Sequence, residues 1–300
     1  MNTIQIKLTD TQHKELQEIA KALTNQYQIK KIICFAAINR SSEEATVFDH
    51  SKVVSETNYY LLVMTTDITR IEHAMQDYIS KLFPGTFVVA HGLETVMNLV
   101  YKYDTFFLNV CLNGALIYTS DGFTMIPDFD EAKVEDAILK DREAFKRIYN
   151  LALGFLESAW NCLENDFDNN VIFLLHQAVE QGCRALIRLF TGYRSDIHNI
   201  GRLIDFCNCF SPEPSALFRR HFAKEKHLFK VLSASYSDVR YKDNYQVVDH
   251  EADLLCTQVQ AFLDLIEELA KKETAPGTAR TTVEASAEVV DYSPALPASL

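Results

Sequence analysis

The 300-residue sequence has little glycine, nine residues in all, and a single tryptophan. Glycine builds the loops that cradle phosphates, and neither GxGxxG nor a P-loop occurs; HExxH and GxSxG are missing too. These absences exclude the common dinucleotide, nucleoside-triphosphate, zinc-protease and serine-hydrolase signatures. Positive charge is also short: 29 Lys and Arg stand against 41 Asp and Glu, net −12, with a pI of about 5.2. Broad nucleic-acid binding needs a basic face, so unselective binding is excluded. There is no window of 18 apolar residues, so no membrane span or membrane partner is expected. Met1–Asp10 is polar and alternating, unlike a signal peptide. The seven cysteines are scattered and form no CxxC. That pattern predicts buried free thiols in a reducing, cytoplasmic setting. Cys207-x-Cys209 near His198 is too closely spaced for a zinc pair. The acidic run Asp128-Phe129-Asp130-Glu131 lacks the glycine and distal glutamate of a calcium loop. No metal and no cofactor is expected.

What is present is a chain able to bury a core, with 48% hydrophobic residues. Its length suits two domains. Residues 1–140 hold 12 basic and 18 acidic residues, net −6, and residues 141–272 hold 16 and 19, net −3. The second part thus carries the more balanced charge and leaves room for a local basic pocket. Residues 1–130 alternate helix and strand patterns. Thr9-x-x-Gln12 is a capping box opening a helix with Leu16, Ile19, Ala20 and Leu23 on its apolar face. Ile32–Ala37 and Tyr59–Met64 read as buried strands, Ile68–Leu82 as a helix, Thr86–His91 as a strand and Leu93–Tyr101 as a helix. Phe106–Leu112 and Ala115–Tyr118 flank Asn113-Gly114, a strong hairpin signal. The order is αββαβαββ, a mixed sheet with helices. Residues 122–140, acidic and containing Pro127, form a connector, with the linker proper at 131–140.

Residues 141–272 read as helix throughout. One stripe runs through Phe145, Ile148, Ala152, Phe155, Leu156, Ala159 and Leu163. A second runs from Val171 to Phe190 and is closed by Gly192. Asp196 can cap a short helix to Phe206. Pro212 and Pro214 mark a loop before a helix over Lys224–Val239, and Asp249 can cap a last helix to Lys272. This is a five-helix bundle. Residues 273–300 lack periodicity and read as a disordered tail. The fold class is α+β in two domains, a mixed-sheet domain followed by an all-α bundle.

Three segments of the bundle carry a family resemblance. Phe173-Leu-Leu-His176-Gln-Ala-Val-Glu180-Gln181 is one. Thr191-Gly192-Tyr193 with Asp196-Ile-His198-Asn-Ile200 is the second. Leu232-Ser-Ala-Ser-Tyr236-Ser-Asp238-Val-Arg240-Tyr241-Lys242-Asp-Asn-Tyr245 is the third. In this order and at these separations they resemble the HEPN family, helical domains associated with nucleotides and RNA. The resemblance implies a homodimer through the bundle. Many members are metal-independent ribonucleases, in which an Arg holds the scissile phosphate and a His a few residues on moves a proton. Arg240 fits the Arg position. The His window holds Tyr245, Gln246 and Val247, and His250 lies outside it. Tyr titrates near ~10 and cannot act as a base near neutral pH. The residues left are a binding set: Arg240 for phosphate, Tyr236, Tyr241 and Tyr245 for stacking, with Lys242 and His176 beside them. Other readings stay open. The tyrosines could pack the bundle seam, and a lone His on an apolar helix is more often a satisfied core residue.

The first domain has a resemblance of its own, to minimal nucleotidyltransferases of the polymerase-β type, which often accompany HEPN domains. It rests on the order of elements and on Phe106–Tyr118. Active members place Gly-Ser after the first strand and Asp-x-Asp on the second, where two metal ions bind. Here Ala36-Ala37 and Asn58-Tyr59-Tyr60 stand at those places, and Asn and Tyr cannot supply the charge Mg²⁺ requires. The resemblance therefore implies a degenerate site. The functional expectation is a non-catalytic HEPN protein that binds a nucleotide or RNA end around Arg240 as a dimeric regulatory module. The alternative is a protein-interaction module, antitoxin-like, with a protein partner and no nucleotide. A ribonuclease using an unusual base is a third reading.

Overall fold

The computed structural model describes residues 6–46, 49–66, 71–122, 129–220, 222–241 and 249–275; within these, the side chains of 40–46, 49–55, 168, 236–241 and 249 are left undescribed. The chain divides into two compact units after Val134.

The first unit is a four-stranded sheet between two pairs of helices. Helix α1 (Asp10–Gln26) opens at the expected capping box: Thr9 Oγ1 accepts from Gln12 N–H at 3.2 Å, and Gln12 Oε1 accepts from Thr9 N–H at 2.9 Å. Such a cap is worth about 1 kcal/mol. Strands β1 (Ile29–Thr46) and β2 (Asp49–Thr65) form one long antiparallel ladder. Helix α2 (Glu72–Leu82) leads to β3 (Thr86–Gly92), which runs parallel to β2. Gly85 takes a φ of +85° at this turn, where a Cβ would lie 2.5 Å from Asn58 Oδ1. Helix α3 (Leu93–Tyr101), helix α4 (Thr105–Asn113) and strand β4 (Ala115–Thr119) complete the unit. The strand order is β3-β2-β1-β4.

Both faces of the sheet are covered, which is why its central strands read as unbroken apolar runs. On one face Leu16, Ile19 and Leu23 of α1 and Met75 and Ile79 of α2 pack on Ile32, Leu61, Val63 and Val88. On the other, Phe106 meets Phe35 edge-on at 5.4 Å, and Tyr60 stacks on Phe87 at 5.8 Å. The outer edge of β3 is sealed by α2. Gln76 Nε2 donates to Thr86 O at 2.8 Å, while Gln76 Oε1 accepts from Val88 N–H at 2.7 Å and Glu72 from Ala90 N–H at 3.2 Å.

The second unit is helical. Helix α5 (Glu131–Leu163) is joined by α6 (Asp168–Thr191), α7 (Ile200–Cys207), the short α8 (Glu213–Leu217), α9 (Ala223–Tyr241) and α10 (Asp249–Thr274). Helix α6 ends as expected at Gly192, with φ +80° and its N–H on Arg188 O. Gly182 lets α10 approach α6 closely, since a Cβ there would lie 2.8 Å from both Ile266 and Phe262. None of the helices is long and apolar enough to cross a membrane, among the described residues.

Several expectations need correction. Phe106–Leu112 is helix, not strand. Asp104 caps it by accepting from the N–H groups of Phe106 and Phe107, and Gly114 follows at φ −73° as its C-cap rather than in a hairpin. Residues 131–140 are not a linker but the first turns of α5, capped by Asp130 through Ala132 N–H at 3.0 Å. Asn199, not Asp196, caps α7, accepting from Arg202 N–H at 3.0 Å. The described bundle has six helices rather than five, because Pro212 starts α8 inside the expected loop. The start of the helix expected from Ile68, the Pro127 connector and the tail beyond 275 fall outside the described residues.

Candidate functional site

Helix α9 carries the residues singled out from the sequence. Its middle is anchored: Leu232 and Ser235 are fully buried, and Ser235 Oγ donates to Ile172 O of α6 at 3.3 Å. The next residue is Tyr236, and the last turns of α9 hold Arg240 and Tyr241. Tyr236 and Arg240 stand four apart, the spacing of one helical turn. The side chains of these three, and all of Lys242 and Tyr245, lie outside the described residues. His176 lies one turn along α6 from Ile172. It is buried, 2% exposed, with Nδ1 3.3 Å from Gln177 Nε2.

The other end of α9 is fixed by His227, whose Nε2 lies 2.8 Å from Glu251 Oε1 at the start of α10. Thirteen residues of helix separate His227 from Arg240, about 20 Å at 1.5 Å per residue. His250 adjoins Glu251. It is the first histidine after Arg240 in the sequence.

A second polar cluster, absent from the sequence reading, links α6 to the segment before α7. Glu180 is 2% exposed, and its Oε1 lies 3.3 Å from Arg184 Nη1 and 3.1 Å from His198 Nδ1. Arg184 also donates to Ile197 O at 3.2 Å. One turn on, Arg188 Nη2 meets the buried Asp141 of α5 at 2.7 Å. The Glu180–Arg184 spacing of four was a legible signal; Asp141 and Arg188 are too far apart in sequence to suggest each other. Cys207 and Cys209, at the end of α7, are thiols that burial pushes well above their ordinary range.

These features sit in one segment, and the family comparison falls on it: the profile of the HEPN domain matches residues 145–269. The C-terminal bundle is a HEPN domain. Its match spans α6 to α9 entire, including Arg240 and the window after it. None of the curated proteins compared with the chain matches it. Among solved structures, a nucleotidyltransferase-like protein from Exiguobacterium sibiricum 255-15 is similar at 12% identity, over 87% of this chain and 77% of that one, with a TM-score of 0.29. A score that low carries no argument about chemistry.

In the first unit, the positions compared with a nucleotidyltransferase site are neighbours in the β1–β2 ladder. Ala36 faces Tyr60, Ala37 faces Tyr59 and Ile38 faces Asn58. Ala36-Ala37 lies within a strand, not at a phosphate-holding turn. Tyr59 donates its hydroxyl to Glu15 of α1, and burial together with that carboxylate pushes the phenol upward. Asn58 packs against Gly85. These side chains hold α1 and the β3 turn to the sheet.

Proposed function

We propose that the HEPN domain binds a nucleotide or an RNA end at the C-terminal end of α9 and works as a non-catalytic, dimeric regulatory module. One observation carries this reading. Within the HEPN match, α9 extends through Tyr241 and brings Arg240 into its last turns beside Tyr236 and Tyr241, while no histidine follows in the window where a proton-transfer group would stand. Arg240 pairs with phosphate, and Tyr236, Tyr241 and Tyr245 stack on a base. Lys242 adds charge. His176 of α6, the remaining member of the set, is buried.

The test is a thermal-shift screen of the full chain against nucleotides and short RNA oligomers, with Arg240→Ala in parallel. A ligand that binds the native state raises the melting temperature by mass action. A shift in the wild type that Arg240→Ala removes is the expected result. No shift with any ligand would sink the nucleotide reading. A second reading, a protein-interaction module without nucleotide, is favoured by the exposed leucines of α5, Leu139 at 55% and Leu151 at 50%. A protein partner whose binding Leu151→Asp abolishes would establish it.

A further inference from the structure

Charge is not spread evenly over this acidic chain. Residues 219–230 hold five basic residues and one acid, net +4, while the whole chain carries −12 and the remainder therefore −16. They form the link from α8 to α9 and the first turns of α9. All of them but His221 are among the described residues.

Arg220 braces the link. Its guanidinium lies over the Phe229 ring, 5.1 Å from the centroid, and its Nη2 meets Asp205 Oδ1 at 2.6 Å. That leaves four exposed cations, Arg219, Lys224, Lys226 and Lys230. Arg219 Nε donates to Ala216 O at 3.2 Å, and among the described residues none of the four is in an ion pair. Glu225, the one acid of the segment, is half-buried. Lys226 N–H donates to Phe222 O at 2.9 Å, so Phe222 stands one turn before Lys226, and Lys230 stands one turn after it. Phe222, Lys226 and Lys230 thus share one side of the helix. Leu228 and Leu232 turn inward on the opposite side, Leu232 completely buried. Phe222 itself is 67% exposed, more than any other large apolar side chain among the described residues.

The geometry points to a surface that holds the backbone of a single-stranded RNA, with Phe222 stacked on one of its bases. Sites for single strands combine cations that follow the backbone with an aromatic ring that stacks on bases, and both stand here within three turns. The occupant follows from charge and shape. A lipid surface is broad and anionic, so it would also meet the negative remainder of the chain; it asks for a wide apolar helix face as well, and the apolar side of α9 is taken up by the bundle. An acidic peptide would use the lysines and leave the ring idle. A short strand fits a basic surface this confined, and the overall charge repels long polyanions. The choice of RNA rests on the proposed function. The surface itself is separate from Arg240, which lies ten residues, about 15 Å of helix, beyond Lys230.

The test is fluorescence anisotropy of the full chain with a labelled oligouridine of about ten nucleotides, across about 50–200 mM salt. For a single strand, log affinity falls with log salt by about 0.7 per phosphate contact. Lys226→Gln with Lys230→Gln should make that slope shallower by about 1.4 and weaken binding at low salt. Lys14→Gln with Lys21→Gln, exposed on α1, changes the net charge equally and should leave the slope as it is. Phe222→Ala should weaken binding about tenfold at an unchanged slope, because stacking releases no counterions. All five positions are exposed, so the variants keep the fold, and unchanged melting temperatures check it. Equal slopes in the two double variants overturn the proposal. So does no binding of oligouridine, or an equally charged oligoglutamate that competes as well as unlabelled oligouridine. Arg240→Ala separates this surface from the proposed site at the end of α9. Binding that survives Arg240→Ala but still needs Lys226 and Lys230 keeps the surface and sinks that site; binding that needs Arg240 and not the lysines does the reverse.

Discussion

The two units bury polar side chains of different kinds. Among the described residues of the sheet unit, those buried are Gln12, Thr65, Gln76, Thr86 and Thr105, all neutral. In the helical unit His176, Asn208, Ser211 and Ser235 are joined by three carboxylates, Asp141, Glu180 and Glu251, a type absent from that list. The difference follows from what each architecture leaves unpaired. A sheet edge presents both N–H and C=O groups, and an amide side chain both donates and accepts, as Gln76 does toward Thr86 and Val88. A helix satisfies most of its own backbone, so links between helices run largely between side chains, with a few to carbonyls such as Ser235 Oγ to Ile172 O. A carboxylate buried there needs a cation: Asp141 has Arg188 and Glu180 has Arg184.

The sharpest way to break this comparison is Asp141→Ala. Removing one partner of a buried pair costs about 3–5 kcal/mol. The Asp141 and Arg188 side chains are 4% and 15% exposed, and Arg188 keeps Gly192 O, so the lower end, about 3 kcal/mol, is expected from urea denaturation. A loss below about 1 kcal/mol would mean that the helical unit does not depend on its ions. Next comes Gln76→Ala, which strands a buried N–H and a C=O and should cost about 1–3 kcal/mol. Gln76→Glu sharpens the point: it still accepts from Val88 N–H but cannot donate to Thr86 O. It should be nearly as damaging as alanine; a harmless Glu would show that donation to the edge is unimportant.

The smallest effect is alkaline. Burial pushes the Cys34 thiol up to about 12 and Cys111 to about 11 in the sheet unit. In the bundle it pushes Cys256 up to about 12, and Cys207 and Cys209 upward as well. Above the ordinary thiol value of 9.0 the unfolded chain loses these protons first and so binds fewer than the folded one. Stability therefore falls as pH rises from about 9 toward 12 and is unaffected below that window. With three such thiols against two, the bundle should lose stability more steeply between pH 8 and 10, below the range where the raised phenols of Tyr27, Tyr59 and Tyr149 add their own loss; denaturant midpoints at pH 8, 9 and 10 report it.

Local signals were legible wherever one stretch of chain decided the outcome. The Thr9 capping box, the helix over Leu93–Tyr101 and the Gly192 stop needed no distant partner. Phe106–Leu112 misled because a short apolar run suits a strand or a buried helix equally; Asp104 was the cap that distinguished them. The β1–β2 ladder extends far past Ala37, out to Thr46 opposite Asp49, a register invisible in either strand alone. The 131–140 segment is acidic, but its Ala, Glu, Leu and Lys are good helix formers, and Asp130 starts them.

The sequence by itself determined that the second unit holds a HEPN domain, that Arg240 lies within it, and that Tyr245, Gln246 and Val247 follow where no histidine stands. Those are matters of residue identity and order, written in the chain. Only the tertiary structure decided that His227 of α9 meets Glu251 of α10, that Glu180 is shared between Arg184 and His198, and that Asp141 holds Arg188. Each of these depends on which helix lies against which. That is set by the burial of whole apolar faces, to which no single residue holds the key.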